Sequence, residues 1–476
     1  MKYSLLLVLL SLISTSYAQE TWSLQKCINY GIENNITIKQ RQVQVEATSS
    51  TLQQSKESRF APQLSASGSQ VRRSGRSINP FNNQFVTQSV NSTSVSLNGN
   101  ITLFNGFSTV NSIEQNKLDQ KAATLDVEQT KRDISLNIAN AYLQVLLAQE
   151  LLEANKAQIE VTKNQLDRTE KLFKAGSVAE TQVLNLKAQL ANDEVNMVTA
   201  QNQVSLTKLN LMQQMNMPAV QSIEAEKVQI ATITNEYATT TTSQIFEVAE
   251  KNQYNLQSAD LRIQSAERSI EIARAGLYPT LTLSGGLSSA YSSAAPDRLP
   301  DGTETISVPV TIGTLASNPN ESVIAFQQIP VKFKENGFFN QMNFNRSTFV
   351  ALNLNVPIYS QGRTRNATTQ AKIQQKNQTY QSQLLRQQLR QTIEQAFNDM
   401  KLSQSNFEAR QKQVESLDLN FKAVENRFNA GATNIIDYNL AKINLDQAKT
   451  NLIRSKYEYI FRIKVLDFYL NKPLNL

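Results

Sequence analysis

Leu97-Asn98-Gly99-Asn100 and, 255 residues later, Leu352-Asn353-Leu354-Asn355 open two copies of one unit. The match runs from Leu97 to Pro218 and from Leu352 to Pro473, over 122 positions and almost without a gap. Phe104 pairs with Tyr359, Ala141-Tyr142 with Ala396-Phe397, and Phe173-Lys174-Ala175-Gly176 with Phe428-Asn429-Ala430-Gly431. Upstream, Phe60-Ala61-Pro62-Gln63-Leu64 aligns with Leu277-Tyr278-Pro279-Thr280-Leu281 at an offset of 217, so the second copy holds 38 additional residues between Pro279 and Leu352. Length change tolerated at one place marks where a free loop lies.

Proline and glycine divide each copy into few pieces. No proline lies between Pro80 and Pro218, and Gly176 is the only glycine between Gly106 and Pro218; Gly431 is likewise alone between Gly362 and Pro473. Each copy therefore predicts a long helix, one turn at the glycine and a returning helix. Steps of seven from Ile138 reach Val145, Leu152, Ile159, Leu166 and Phe173; the same steps from Ile393 reach Met400, Phe407, Val414, Phe421 and Phe428. All twelve are apolar, while companion positions such as Asn155, Thr162, Thr169, Ser403 and Arg410 are mixed. A narrow seam beside polar positions suits helices packed side by side. A helix from Phe107 to Leu172 would be about 99 Å long at the α-helical rise, more than a compact domain holds.

Ahead of each long helix the period changes to two. Val95, Leu97, Gly99, Ile101 and Leu103 alternate with Ser, Asn and Thr, and Val350, Leu352, Leu354, Val356 and Ile358 do the same in the second copy. Partner strands begin at Pro62 and Pro279. Each copy thus carries a hairpin with one apolar and one uncharged polar face, of the length a membrane-spanning strand needs. The same alternation also fits a soluble β-sandwich capping a coiled coil. Four strands cannot close a barrel and an open edge in lipid is costly, so membrane-spanning strands would require several chains. The strand-connecting loops are Arg72 to Asn91, with Arg72, Arg73, Arg76 and Pro80-Phe81-Asn82, and the longer 288–346, which contains the insertion. The latter reads either as the outward loop of a barrel or as an ordered Ω-type loop.

The expected boundaries are a signal peptide at 1–18, a first repeat at 19–242 and a second at 243–476. Helices are expected at about 22–60, 107–172 and 178–217, then 243–276, 363–427 and 433–470; strands at about 62–72 and 92–104, then 279–288 and 348–359. The signal reading rests on Lys2, the apolar run Leu5 to Ile13 and the small-x-small site Ser16-Tyr17-Ala18. Cys27, the only cysteine, is expected to be a buried apolar residue on the first helix.

Composition narrows the chemistry. The chain has no histidine and one cysteine among 476 residues, which removes imidazole bases, Cys/His zinc sites and Ser-His-Asp triads. No phosphate loop, metal spacing or acidic pair set in a loop is present; catalytic, cofactor and metal residues are all expected to be none, and the chain is not expected to be an enzyme. The net charge of +7 is scattered, as on solvated helix faces, rather than clustered for nucleic acid.

The order of these pieces resembles the TolC-like outer membrane efflux protein family over essentially the whole chain after the signal. Carrying the resemblance are the duplicated helix-strand-strand-helix-helix unit, Pro62 and Pro279 at the strand starts, and the endings Leu103-Phe104-Asn105-Gly106 and Ile358-Tyr359-Ser360-Gln361-Gly362, with the aromatic-x-x-Gly turns. It implies a mainly α fold with a small β part: a homotrimer whose twelve strands form an outer-membrane β-barrel continued by a long periplasmic α-helical barrel. It implies a passive exit duct, a porin-like channel without cofactor, joined to a periplasmic adaptor and an inner-membrane pump of RND or ABC type. The hairpin ends would dock the adaptor through Phe173, Gly176, Ser177 and Val178, with Phe428, Gly431, Ala432 and Thr433. The family closes its tip with aspartates six and nine residues after the second glycine; Asp437 matches, Leu440 does not, and Phe428 keeps the aromatic position. Gln182 stands at the first-copy counterpart of Asp437, and Thr433 where a gate-locking arginine is found. The alternative reading of Asp437 is a solvated helix-surface residue, and the glycines also serve as left-handed caps between helices. The reading from a different class is a non-channel periplasmic coiled-coil protein, structural or adaptor-like.

Overall fold

A computed structural model describes residues 21–78, 83–218, 223–226, 237, 240–300 and 302–474. The expected signal segment and Pro80-Phe81-Asn82 lie outside the described residues. In chain order the elements are β1 (Thr21–Trp22), α1 (Leu24–Asn34), α2 (Ile36–Glu57), β2 (Gln63–Ile78), β3 (Phe85–Asn105), α3 (Ser108–Lys174), α4 (Glu180–Gln214) and β4 (Glu224–Ala225). There follow α5 (Thr242–Asn252), α6 (Tyr254–Arg274), a 3-10 turn at Ala275–Leu277, β5 (Thr280–Ser292), β6 (Arg298–Pro300), β7 (Thr305–Leu315), β8 (Asn318–Pro330), β9 (Phe333–Glu335), α7 (Phe338–Phe344), β10 (Ser347–Asn355), α8 (Arg363–Asn429) and α9 (Ile435–Tyr469). The fold is mainly α with a small β part, built from a duplicated helix-strand-strand-helix-helix unit.

The duplication is exact to the residue in the hairpins. α3 and α8 each hold 67 residues, α4 and α9 each 35, and every start and end is displaced by the same 255 positions. Contacts nevertheless divide the chain across both repeats. One unit takes the stretches that end at Thr51, run from Gln115 to Glu267 and begin at Lys372; the other takes Leu52–Glu114 and Arg268–Ala371.

Two expectations are corrected. The leading helix of each copy is not one rod but two, α1 with α2 and α5 with α6, broken at Asn35 and Gln253, both in extended conformation and nearly buried. At the first break the Asn35 side chain accepts from Thr37 N at 2.9 Å and donates to Gln214 O at 3.3 Å, so an amide that competes with the backbone restarts the helix. Second, the strand-connecting loops are mostly strand. β2 and β3 pair regularly from Gln63 with Asn100 out to Ile78 with Phe85. Residues 288–346 contain the antiparallel ribbon β7–β8, the short pair β6–β9 and α7.

Within the helical unit the seam is buried as the heptads require, to a depth that declines along it. Ile138, Val145, Ile393 and Met400 are 0–1% exposed, whereas Phe173 at the far end is 40% exposed. The deepest cluster joins Cys27, Tyr142 and Leu211, with Tyr142 Oη donating to Trp22 O at 2.9 Å. Burial pushes the Cys27 thiol up to about 12, an unreactive small apolar residue as expected. Among the described residues no helix is long and apolar enough to cross a membrane.

Candidate functional site

The β unit carries a four-stranded antiparallel sheet of order β10-β5-β3-β2. The period of two gives it opposite faces. On one, Leu64, Leu97, Ile101, Leu283, Leu287 and Val350 line a shallow apolar groove, with Leu64 68% and Val350 82% exposed. On the other, hydroxyls meet across strands, Ser67 with Ser96 at 2.8 Å and Ser69 with Ser94 at 2.7 Å, and Asn353 Nδ2 donates to Ser284 Oγ at 2.9 Å. No charged side chain stands on β3, β5 or β10. Among the described residues β2 and β10 pair on one side only, leaving two open edges.

The helical unit carries two hairpin ends of one construction. Gly176 and Gly431 both sit at φ +74°. Ser177 N donates to Leu172 O at 2.9 Å and Gly176 N to Phe173 O at 2.8 Å; Ala432 N donates to Arg427 O at 2.8 Å and Gly431 N to Phe428 O at 3.0 Å. These are paired Schellman closures, which require a left-handed residue. Phe173 and Ser177 are exposed and Val178 half-buried; Ala432 is exposed and Thr433 half-buried.

The returning helices start differently. Ala179 offers α4 no side-chain cap, whereas the Asn434 side chain of α9 accepts from Asp437 N at 2.8 Å. Thr433 Oγ1 donates to Asp437 Oδ2 at 3.1 Å, so the carboxylate is exposed, hydrogen-bonded, and favourably placed in a helix first turn. Phe428 packs on the next residue of α9. Its ring stacks on Tyr438 at 4.9 Å and 29°, in a cluster with Leu186, Val424, Ile435 and Ala441. Burial raises the Tyr438 phenol to about 12. Leu440 is 59% exposed.

Above the tips lies a buried polar chain that crosses three helices. Lys442 Nζ donates to Thr162 Oγ1 at 2.8 Å, Thr162 Oγ1 donates to Asp193 Oδ2, and Gln189 Nε2 donates to Asp193 Oδ1 at 2.8 Å. Thr162, Asp193 and Lys442 are 0%, 4% and 5% exposed. Burial lowers the Lys442 ammonium, opposed by Asp446 and Asp193. One turn on, burial and the nearby Asp193 charge raise Asp446 to about 6, against the pull of Lys442 and Lys449.

The sequence matches the outer membrane efflux protein family over residues 28–216 and 245–471, two blocks that coincide with the two repeats. The chain belongs to this family. Outer membrane efflux proteins reside in the cell outer membrane, and so does this one. The outer membrane protein TolC of Escherichia coli (strain K12) is 26% identical over 355 residues, 72% of this chain and 63% of that protein. TolC of Vibrio cholerae serotype O1 is 24% identical over 340 residues, 70% of this chain and 66% of its own length. The matched stretch spans less than two thirds of either relative. Solved structures of CusC and of the outer membrane protein VceC from Vibrio cholerae superpose with a TM-score of 0.70 at 16% identity; the first covers 96% of both chains and the second 94% of both. At that identity the likeness is one of fold.

For this efflux-family chain, sequence reasoning located both hairpin ends but missed the polar chain above them. Its signal was present. Ile435, Tyr438 and Leu445 make one stripe of α9, and Lys442 interrupts it at the heptad step from Ile435. Thr162 is likewise a polar residue at a companion position of the α3 seam. Charge on an apolar stripe marks a buried, partnered group.

Proposed function

We propose that this outer membrane efflux protein is the exit duct of a tripartite efflux or secretion system, passively passing substrates delivered by an inner-membrane pump of RND or ABC type through a periplasmic adaptor. The observation that carries the reading is the sheet: four strands, one apolar face, one hydroxyl-lined face and two open edges. Unpaired backbone in hydrocarbon costs several kcal/mol per group, at about the scale of a lost hydrogen bond in an apolar medium. β2 of one copy next to β10 of another removes both edges, and three copies give a twelve-stranded barrel with hydroxyls inward. The helical unit forms the periplasmic part of the duct.

In this reading the hairpin ends around Phe173, Gly176, Ser177, Val178, Phe428, Gly431, Ala432 and Thr433 dock the adaptor. Three copies of Asp437 form a ring of like charge at the periplasmic end, which favours cations. Phe428, stacked on Tyr438, supports the gate from the packed side rather than lining it.

Single-channel conductance of the full mature protein in a planar bilayer tests both parts, with Asp437→Ala alongside. Stable steps whose cation preference falls in the variant are expected. Steps unchanged by the variant remove Asp437 from the gate. A folded monomer in the soluble periplasmic fraction, silent in the bilayer, would establish the coiled-coil alternative instead.

A further inference from the structure

Towards the ends of β2 and β3 the apolar face of the sheet is interrupted by polar rows. Its cross-strand rows can be followed upward from register alone. Leu64, Gly99, Gly285 and Val350 share a row, then Ala66, Leu97, Leu287 and Thr348, then Gly68, Val95 and Ser289, then Gln70, Thr93 and Tyr291. The next rows on the same face are Arg72 with Asn91, Ser74 with Ser89, and Arg76 with Thr87, before the apolar pair Ile78 with Phe85 ends the ladder. Side-chain contacts confirm that the face continues: Ser74 Oγ meets Ser89 Oγ at 2.7 Å, and the Arg76 guanidinium lies 4.9 Å from the centre of the Phe85 ring, its diagonal neighbour.

Spacing decides what this polar extension meets. The lowest apolar row holds Leu281 and Leu354. From there to the row of Arg72 is twelve strand steps, about 41 Å along the strand and about 29 Å of depth at a 45° tilt. That is close to the hydrocarbon thickness of a bilayer. Tyr291 lies one row below Arg72, its ring 5.0 Å from Phe338, which in turn touches the exposed Phe339. An aromatic belt followed by cations is the order of groups at a membrane–water boundary.

The charge on the β2–β3 hairpin itself is one-sided. Between Glu57 and Glu114 the sequence has no acidic residue and no lysine, and its four cations are Arg59, Arg72, Arg73 and Arg76. Arg72 and Arg76 are exposed and point to the apolar side; Arg73 belongs to the opposite face. Guanidinium groups hold phosphate in paired hydrogen bonds, which a generic solubilising surface does not need.

Resting on the membrane-spanning reading above, we infer that Arg72 and Arg76 form a docking surface for the phosphate groups of phosphorylated lipid headgroups in the leaflet reached by the β2–β3 turn. Acyl chains of the same lipid lie on the Leu97–Leu287 rows beneath. Tyr291 and Phe338 fill the level between chain and headgroup.

The test uses the full mature protein, purified in its assembled state and reconstituted into phosphatidylcholine vesicles with and without lipid A. Lipid retained per assembly is read by native mass spectrometry, and melting temperature is followed in parallel. The wild type is expected to keep lipid A and melt higher in its presence. The Arg72→Gln/Arg76→Gln double variant should retain at least about tenfold less, the effect of roughly 1.4 kcal/mol, while Arg73→Gln on the other face retains the wild-type amount. Equal retention by wild type and double variant overturns the inference, as does an equal loss in Arg73→Gln. Wild-type protein that inserts into pure phosphatidylcholine but shows no preference for lipid A sinks this inference alone. Wild-type protein that fails to insert into either vesicle sinks the membrane-spanning reading with it.

Discussion

Lys442 on α9 and Thr162 on α3, 280 positions apart in the chain, are joined by a 2.8 Å hydrogen bond with almost no access to water. Through Thr162 the ammonium is tied to Asp193 on α4, so one lysine couples the second helical hairpin to both rods of the first. Lys442→Met strands a buried carboxylate and should cost roughly 3–5 kcal/mol. Lys442→Met combined with Asp193→Asn removes the charges at both ends of the Thr162 link and should recover part of that loss, Asp446 being left without its lysine. Thermal melting of the three proteins in one detergent checks the order; a double variant no more stable than the single one would contradict it.

Asp446 gives this packing a pH dependence. Its carboxyl titrates at about 6 in the folded chain against 3.8 for the free group, because burial disfavours the charge. A raised carboxyl stabilises the fold below the unfolded value, and that stabilisation is lost as pH rises through the folded value. The protein should therefore melt higher near pH 5 than near pH 7.5 through this group. The Asp446→Asn variant should show a smaller difference between about pH 5 and about pH 7.5.

The two tip glycines make a backbone prediction. A Cβ at Gly176 or Gly431 meets nothing within 4 Å, so only the positive φ resists substitution. Alanine at either position should cost about 1–2 kcal/mol, and asparagine distinctly less. Chemical unfolding curves of the Gly431→Ala and Gly431→Asn proteins separate the two; equal losses would mean that φ is not the cause.

Which face of the sheet meets lipid is decided by charge placement. Leu97→Lys should destabilise the assembled protein by about 2–4 kcal/mol. Ser96→Lys, one residue away on the hydroxyl face, should leave stability nearly unchanged and move ion preference toward anions. Melting and reversal potential in a bilayer read the two effects; a stable Leu97→Lys assembly would assign the faces the other way.

Most of the architecture was legible because its signals are long and repetitive. Twelve apolar residues at heptad steps and two isolated glycines leave little freedom for the α3–α4 and α8–α9 hairpins, and the glycines are where the structure places left-handed turns. The break at Asn35 was not legible, since it depends on one side chain reaching Thr37 N and Gln214 O, the second a contact from distant sequence. The ribbon β7–β8 escaped for another reason. Its strands hold Pro309 and Gly313 and a register shift between Thr311 and Gly313, so a clean period of two is lost. At the tips the sequence offered Asp437 and Phe428 as gate residues. Helix phase, which no single residue announces, turns Tyr438 toward α8, where Phe428 stacks on it, and leaves Asp437 exposed.

The insertion sits in one copy only, while the two tips share a single closure down to the same φ. In the proposed trimer the periplasmic end then repeats nearly six times around the axis, and the outward end only three. A partner approaching the tips meets six quasi-equivalent footholds and can bind in two rotational settings. In the same proposed trimer, anything arriving at the β7–β8 ribbons meets three equivalent sites.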